Sequence, residues 1–187
     1  MRFRYANAVT TLRLGLVAYV VSLAGDRTAS AAWTVIVVAT IAALLDIVDG
    51  WIARRTGTET AFGARFDMEV DALFIVILSV LAWRWEKAGG WVLLSGLLRY
   101  LFVAAGWMLP WLRQPLPPSI RRKAICVVQI VVLIVAVGPV IPVWFSTLIA
   151  AAGLGVLGYS FLVDTVWLWR HAATRTRARG PAFPSLS

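Results

Sequence analysis

Four of the nine acidic residues, Asp46, Asp49, Asp67 and Asp71, fall at helical spacing between positions 46 and 71. At 100° per residue, Asp46, Asp49, Gly50 and Ala53 share one helix face, and Gly63, Asp67 and Asp71, spaced by four, share a face of the next helix. Each helix therefore presents two carboxylates bordered by small residues. Four converging carboxylates repel one another, and protonation or bound cations must relieve that repulsion. Carboxylate oxygens with no histidine or cysteine partner suit hard Mg2+ or Mn2+ rather than zinc. Two divalent ions would neutralise four carboxylates and leave coordination positions for phosphate oxygens, the arrangement that clamps both sides of a phosphoryl displacement. Gly50, Ala53 and Gly63, lacking bulk, would let a nucleotide and its pyrophosphate approach the backbone closely. Solvation at a loop edge accounts for scattered acids such as Asp26 and Glu86, but not for a stripe of four.

The elements that must hold this stripe are greasy. The chain has 187 residues, 60% of them hydrophobic and 14% charged, with a mean hydropathy of +0.81. Apolar runs of about 20 residues, the length that crosses a bilayer, recur along nearly the whole chain. The pattern predicts an all-α membrane protein with six transmembrane helices at 7–24, 31–54, 64–86, 90–110, 120–138 and 143–169. Gly25-Asp26, Lys87-Ala88-Gly89-Gly90, Pro115-Leu116-Pro117-Pro118 and the stretch from Gly138-Pro139 to Pro142 supply the breaks. Carboxylates in or beside such helices are costly and face a cavity or the bundle interior, which marks them as functional.

A net charge of +9 would suit a nucleic-acid binder, but its distribution argues against one. Arg2, Arg4, Arg54, Arg55, Arg113, Arg121, Arg122, Lys123 and the tail arginines fall on one side of the predicted bundle, against Arg27, Arg84 and Lys87 on the other. The basic side is therefore expected to be cytoplasmic. Tryptophans near predicted helix ends, such as Trp83, Trp107, Trp144 and Trp169, read as interfacial anchors. Met1 to Gly25 has the basic start and apolar stretch of a signal peptide, but the further spans that follow favour an uncleaved first helix. Residues 1–170 form one domain in this reading, and the basic tail 171–187 is expected to be disordered near anionic headgroups. The single cysteine, Cys126, cannot form an intrachain disulfide.

Written as a string, Asp46-x2-Asp49-Gly50-x2-Ala53-Arg54-x8-Gly63-x3-Asp67-x3-Asp71 resembles the signature of the CDP-alcohol phosphotransferase family at each of its eight fixed positions. The resemblance extends to Asn7-x2-Thr10-x2-Arg13, which is similar to the family's first-helix pattern, and to Thr60-x-Phe62-Gly63. It implies a six-helix fold with a cytoplasm-facing site in the membrane, in a homodimer. It further implies that Asp46, Asp49 and Asp67 hold metal, with Asp71 near metal and acting as general base. Asp46, Asp49, Gly50, Ala53, Arg54, Gly63 and Asp67 would form the CDP site, with Arg54 reaching the diphosphate and Asn7 and Thr10 bordering the cavity. The implied reaction moves a phosphatidyl-type group from a CDP-linked lipid, such as CDP-diacylglycerol, to an alcohol and releases CMP. Direct displacement needs no nucleophilic Ser, Cys or His, in keeping with a lone histidine, His171, at a helix end.

The acceptor is less constrained. Arg99, mid-helix, must find an anion, water or carbonyls and is the first acceptor-site candidate, with Arg122 and Lys123 behind it. This basic set favours glycerol 3-phosphate; inositol phosphate or an amino alcohol is the alternative. The phosphatidylglycerophosphate-synthase subgroup is the nearest match, but Met68 and Ala72 stand where it usually has Pro and Lys, and Ala6 replaces its proline before Asn7. Glu69 points off the Asp67/Asp71 face, and Asp164 either pairs with a nearby arginine or borders the cavity. A cation-coupled transporter predicts acids spread across the bilayer depth rather than gathered toward one side, and an inactive scaffold does not need all four aspartates.

Overall fold

An apolar segment in an apolar surrounding must satisfy its backbone N–H and C=O groups internally, and a helix does this within one stretch of chain. In the computed structural model, which describes residues 2–56, 61–114 and 119–178, the expected six helices form. They are α1 (Arg2–Ser22), α2 (Ala29–Thr56), α3 (Ala61–Arg84), α4 (Leu93–Met108), α5 (Ile120–Ala136) and α6 (Val143–Ala178), and no strand occurs among the described residues. Short 3-10 turns at Leu23–Gly25, Gly90–Val92 and Pro110–Arg113 link them where glycine and proline interrupt the apolar runs.

Three stretches are long and apolar enough to cross a membrane: Ala29–Gly50, Gly90–Met108 and Val143–Ala172. Within α3, Asp67, Glu69 and Asp71 occupy the first half and dilute its apolar character. Many large apolar side chains face outward, among them Val37, Leu101, Leu162 and Trp169, a distribution suited to lipid rather than water.

The buried core centres on α3. Its Phe74, Ile75, Leu78, Leu81 and Ala82 meet Val17 and Val20 of α1, Val35 and Ala39 of α2, and Ile130, Leu133 and Val137 of α5. Two glycines set the closest helix approaches. A Cβ on Gly96 of α4 would lie 2.5 Å from Val76 Cα on α3, and one on Gly153 of α6 would lie 2.7 Å from Gln129 Oε1 on α5. Small residues of this kind let membrane helices pack backbone to backbone.

The far end of α3 closes with a Schellman cap: Lys87 N–H donates to Ala82 O and Glu86 N–H to Trp83 O. Its left-handed position, usually a glycine, is held by Glu86 at φ 58°. Lys87 Nζ then donates to Ile141 O at 2.8 Å and Thr147 Oγ1 to Lys87 O at 3.2 Å, tying this end to the α5–α6 connection.

The largest departure from the sequence reading lies at the C-terminal side. α6 runs through His171 to Ala178, so a large part of the segment expected to be disordered is helical. Alanine and arginine are good helix formers, and no helix breaker occurs before Gly180-Pro181.

Candidate active site

Asp46 lies ten residues before the end of α2 and Asp71 ten residues after the start of α3, each about 15 Å along its helix from that shared end. The matching distances let the two side chains meet, and their carboxylate oxygens do so. Asp46, Asp67 and Asp71 each direct a carboxylate oxygen into one group whose atoms lie within 4.8 Å of one another. Asp46 and Asp71 are mostly enclosed, with side chains 16% and 17% exposed, whereas Asp67 at 48% opens the group to the outside. Asp49 stands outside this three-member group and meets it through repulsion with Asp67.

The cation in the middle is Arg13, which the sequence pattern places in the first helix without assigning it a role. Arg13 of α1, with its side chain 4% exposed, pairs through Nη1 with Asp46 and with Asp67 at 2.7 Å, and through Nη2 with Asp71 at 2.9 Å. One guanidinium thus gathers carboxylates from two other helices. Its Nε is buried with no hydrogen-bond partner. A mid-span arginine has to find an anion, the reasoning that drew attention to Arg99, and that signal was available for Arg13 too.

The basic candidates divide. Lys123 of α5 interacts electrostatically with Asp71, and Cys126, one turn further on, is within reach of Asp71, Asp46, Arg99 and Arg122. The first turns of α5 therefore border the carboxylates. Arg99 already has its anion: it pairs with Glu69, about half a turn around α3 from the Asp67/Asp71 face, and Nη1 lies 3.0 Å from Met68 Sδ. Arg122 lies 3.6 Å from Asp164, which also pairs with Arg121, so Asp164 fastens α6 to α5. His171 is exposed, bonds to Trp167 O and stacks on the Trp167 ring at 3.8 Å. Gly50 is half-buried on the Asp46 face and Gly63 exposed near the start of α3. The side chains of Asn7, Thr10, Ala53 and Arg54, and Thr60 altogether, lie outside the described residues.

The donor set fits a hard divalent cation: three carboxylates, no soft ligand, and one monovalent counter-charge where three negative charges converge. An all-helical bundle with apolar outer faces and an acidic group opening at one side has the makeup of a helical membrane protein with a polar site. The chain belongs to the CDP-alcohol phosphatidyltransferase family, whose model matches residues 3–159. Members of this membrane-bound enzyme family transfer a phosphatidyl group from a CDP-alcohol to an acceptor and generally use a divalent metal. No curated protein and no solved structure matches the chain.

Proposed function

We propose that this protein transfers the phosphatidyl group of a CDP-linked lipid, CDP-diacylglycerol or a close analogue, to the hydroxyl of a small alcohol, releasing CMP. The observation that carries this reading is the convergence of Asp46, Asp67 and Asp71 within 4.8 Å in a chain of this family. When bound, divalent ions supply charge compensation for the diphosphate and for the departing CMP. Asp46, Asp49 and Asp67 hold the ions and fix the diphosphate, while Gly50, Ala53 and Gly63 leave room for the nucleotide beside the backbone and Arg54 reaches its phosphates. Asp71, the deepest acid on α3, takes the proton of the acceptor hydroxyl. The oxygen attacks the lipid-side phosphorus, the bond from that phosphorus to the bridging oxygen breaks, and CMP leaves with the bond's electrons.

Lys123, which interacts with Asp71, supports an acceptor bearing its own phosphate, glycerol 3-phosphate before inositol phosphate, with Arg122 and Arg99 as further contacts. Arg99 would have to exchange Glu69 for that ligand. The six helices cross the membrane in this reading, with the basic end and the site cytoplasmic, and two copies form the working unit.

The test uses purified protein in lipid with CDP-diacylglycerol, Mg2+ or Mn2+, and a panel of acceptor alcohols, following CMP release. Release that requires both metal and one class of acceptor is expected. CDP binding without turnover on any acceptor would point to a scaffold, and cation movement across vesicles without CMP release to a transporter.

A further inference from the structure

Arg13 pairs with the same three carboxylates that could hold a metal ion. Nη1 lies 2.7 Å from the Asp67 oxygen and also pairs with Asp46, and Nη2 lies 2.9 Å from the Asp71 oxygen. A Mg2+ ion binds carboxylate oxygens at about 2.0–2.1 Å. An ion drawing on these same three oxygens would fall inside the contact distance of the guanidinium nitrogens, so ion and guanidinium exclude one another there. The charges point the same way. Three converging carboxylates, two of them mostly shut off from water, repel strongly unless a cation lies among them. Arg13 reaches that position from a third helix, α1, and is enclosed to the point that its Nε has no partner.

We propose that Arg13 is an internal counter-ion for the metal-free protein, a positioning residue that holds Asp46, Asp67 and Asp71 in register and is displaced from them when divalent ions bind. This rests on the metal reading of the site. Its consequence runs against the usual expectation for a residue touching a metal site: removing the arginine strengthens metal binding, because the ions no longer compete with a built-in cation, and weakens the fold when metal is absent.

The test compares wild type, Arg13→Gln and Arg13→Lys, each purified in Mg2+ and then stripped by chelation, by titrating Mn2+ calorimetrically and recording Tm with and without the ion. Arg13→Gln is expected to bind Mn2+ about tenfold or more tightly than wild type, an equilibrium change of one decade. Its metal-free Tm falls, and Mn2+ returns it to near the wild-type value. Arg13→Lys, which keeps the charge on a single ammonium that cannot span three carboxylates, falls between the two. A weaker or unchanged Mn2+ affinity in Arg13→Gln, with the fold intact, would overturn the proposal and make Arg13 a support for the bound metal. If Arg13→Gln does not fold even in Mn2+, the Lys variant decides: affinity above wild type supports displacement, and equal or lower affinity overturns it. Wild type and variants that all ignore Mn2+ would remove the metal reading itself, and the proposal with it.

Discussion

Two arginines, Arg13 and Arg27, each reach a carboxylate on another segment, at 2.7 Å and 3.1 Å, and the likeness ends there. Arg13 is 4% exposed and holds three acids at the depth where α1, α2 and α3 meet; Arg27 is 60% exposed and holds Glu86, itself 81% exposed, at the far rim. At the rim water and salt screen the pair, whose loss leaves nothing buried behind. Around Arg13 water is mostly gone, so losing any one charge leaves the others uncompensated in a poor solvent. The same ion-pair chemistry is decoration at one end and organisation at the other, and the far end relies instead on backbone capping and on the bonds from Lys87 and Thr147.

The comparison breaks first at Asp71. Asp71→Asn should lower CMP release by about 10²–10⁴-fold, the range for loss of a general base, while CDP binding persists; turnover near wild type would take Asp71 out of that role. Between the two ends, Gly96→Ala drives a methyl into the Val76 backbone and should cost about 1–3 kcal/mol, read as a lower Tm. An unchanged Tm there would mean that α3 and α4 can separate without loss. At the rim, Glu86→Gly relieves a left-handed side chain and should raise stability by about 1 kcal/mol even though the pair with Arg27 is lost. Smallest of all, Arg27→Ala should change stability by less than about 0.5 kcal/mol, and a large drop would erase the distinction between the two arginines.

The helices were legible because apolar runs alternate with turn residues, and their ends moved by a few residues where end effects compete. α1 begins at Arg2 rather than near residue 7, and α6 overruns because charge density was read as disorder although alanine and arginine favour helix. Asp46, Asp67 and Asp71 were readable as a group because their faces follow from the helical period alone. That Asp49 would stand apart was not readable: Asp46 and Asp49 differ by 60° around α2, and only the crossing of α1, α2 and α3 selects between them. Partners across helices were beyond the pattern as well. Glu69 was correctly placed off the aspartate face, but nothing in its spacing said that it would meet Arg99, and Asp164 found Arg121 and Arg122 through the packing of α5 on α6.

Asp71 and Phe74 are three residues apart on one unbroken helix, with no hinge between the acidic half of α3 and the half that fills the core. Tilting that helix to admit a lipid-sized molecule would drag Phe74, Leu78 and Leu81 out of contacts on three sides. In the proposed reaction, traffic of substrates and products would therefore fall to its neighbours, and changes in acceptor preference would arise along α4 and the first turns of α5, leaving α3 as the fixed wall against which they work.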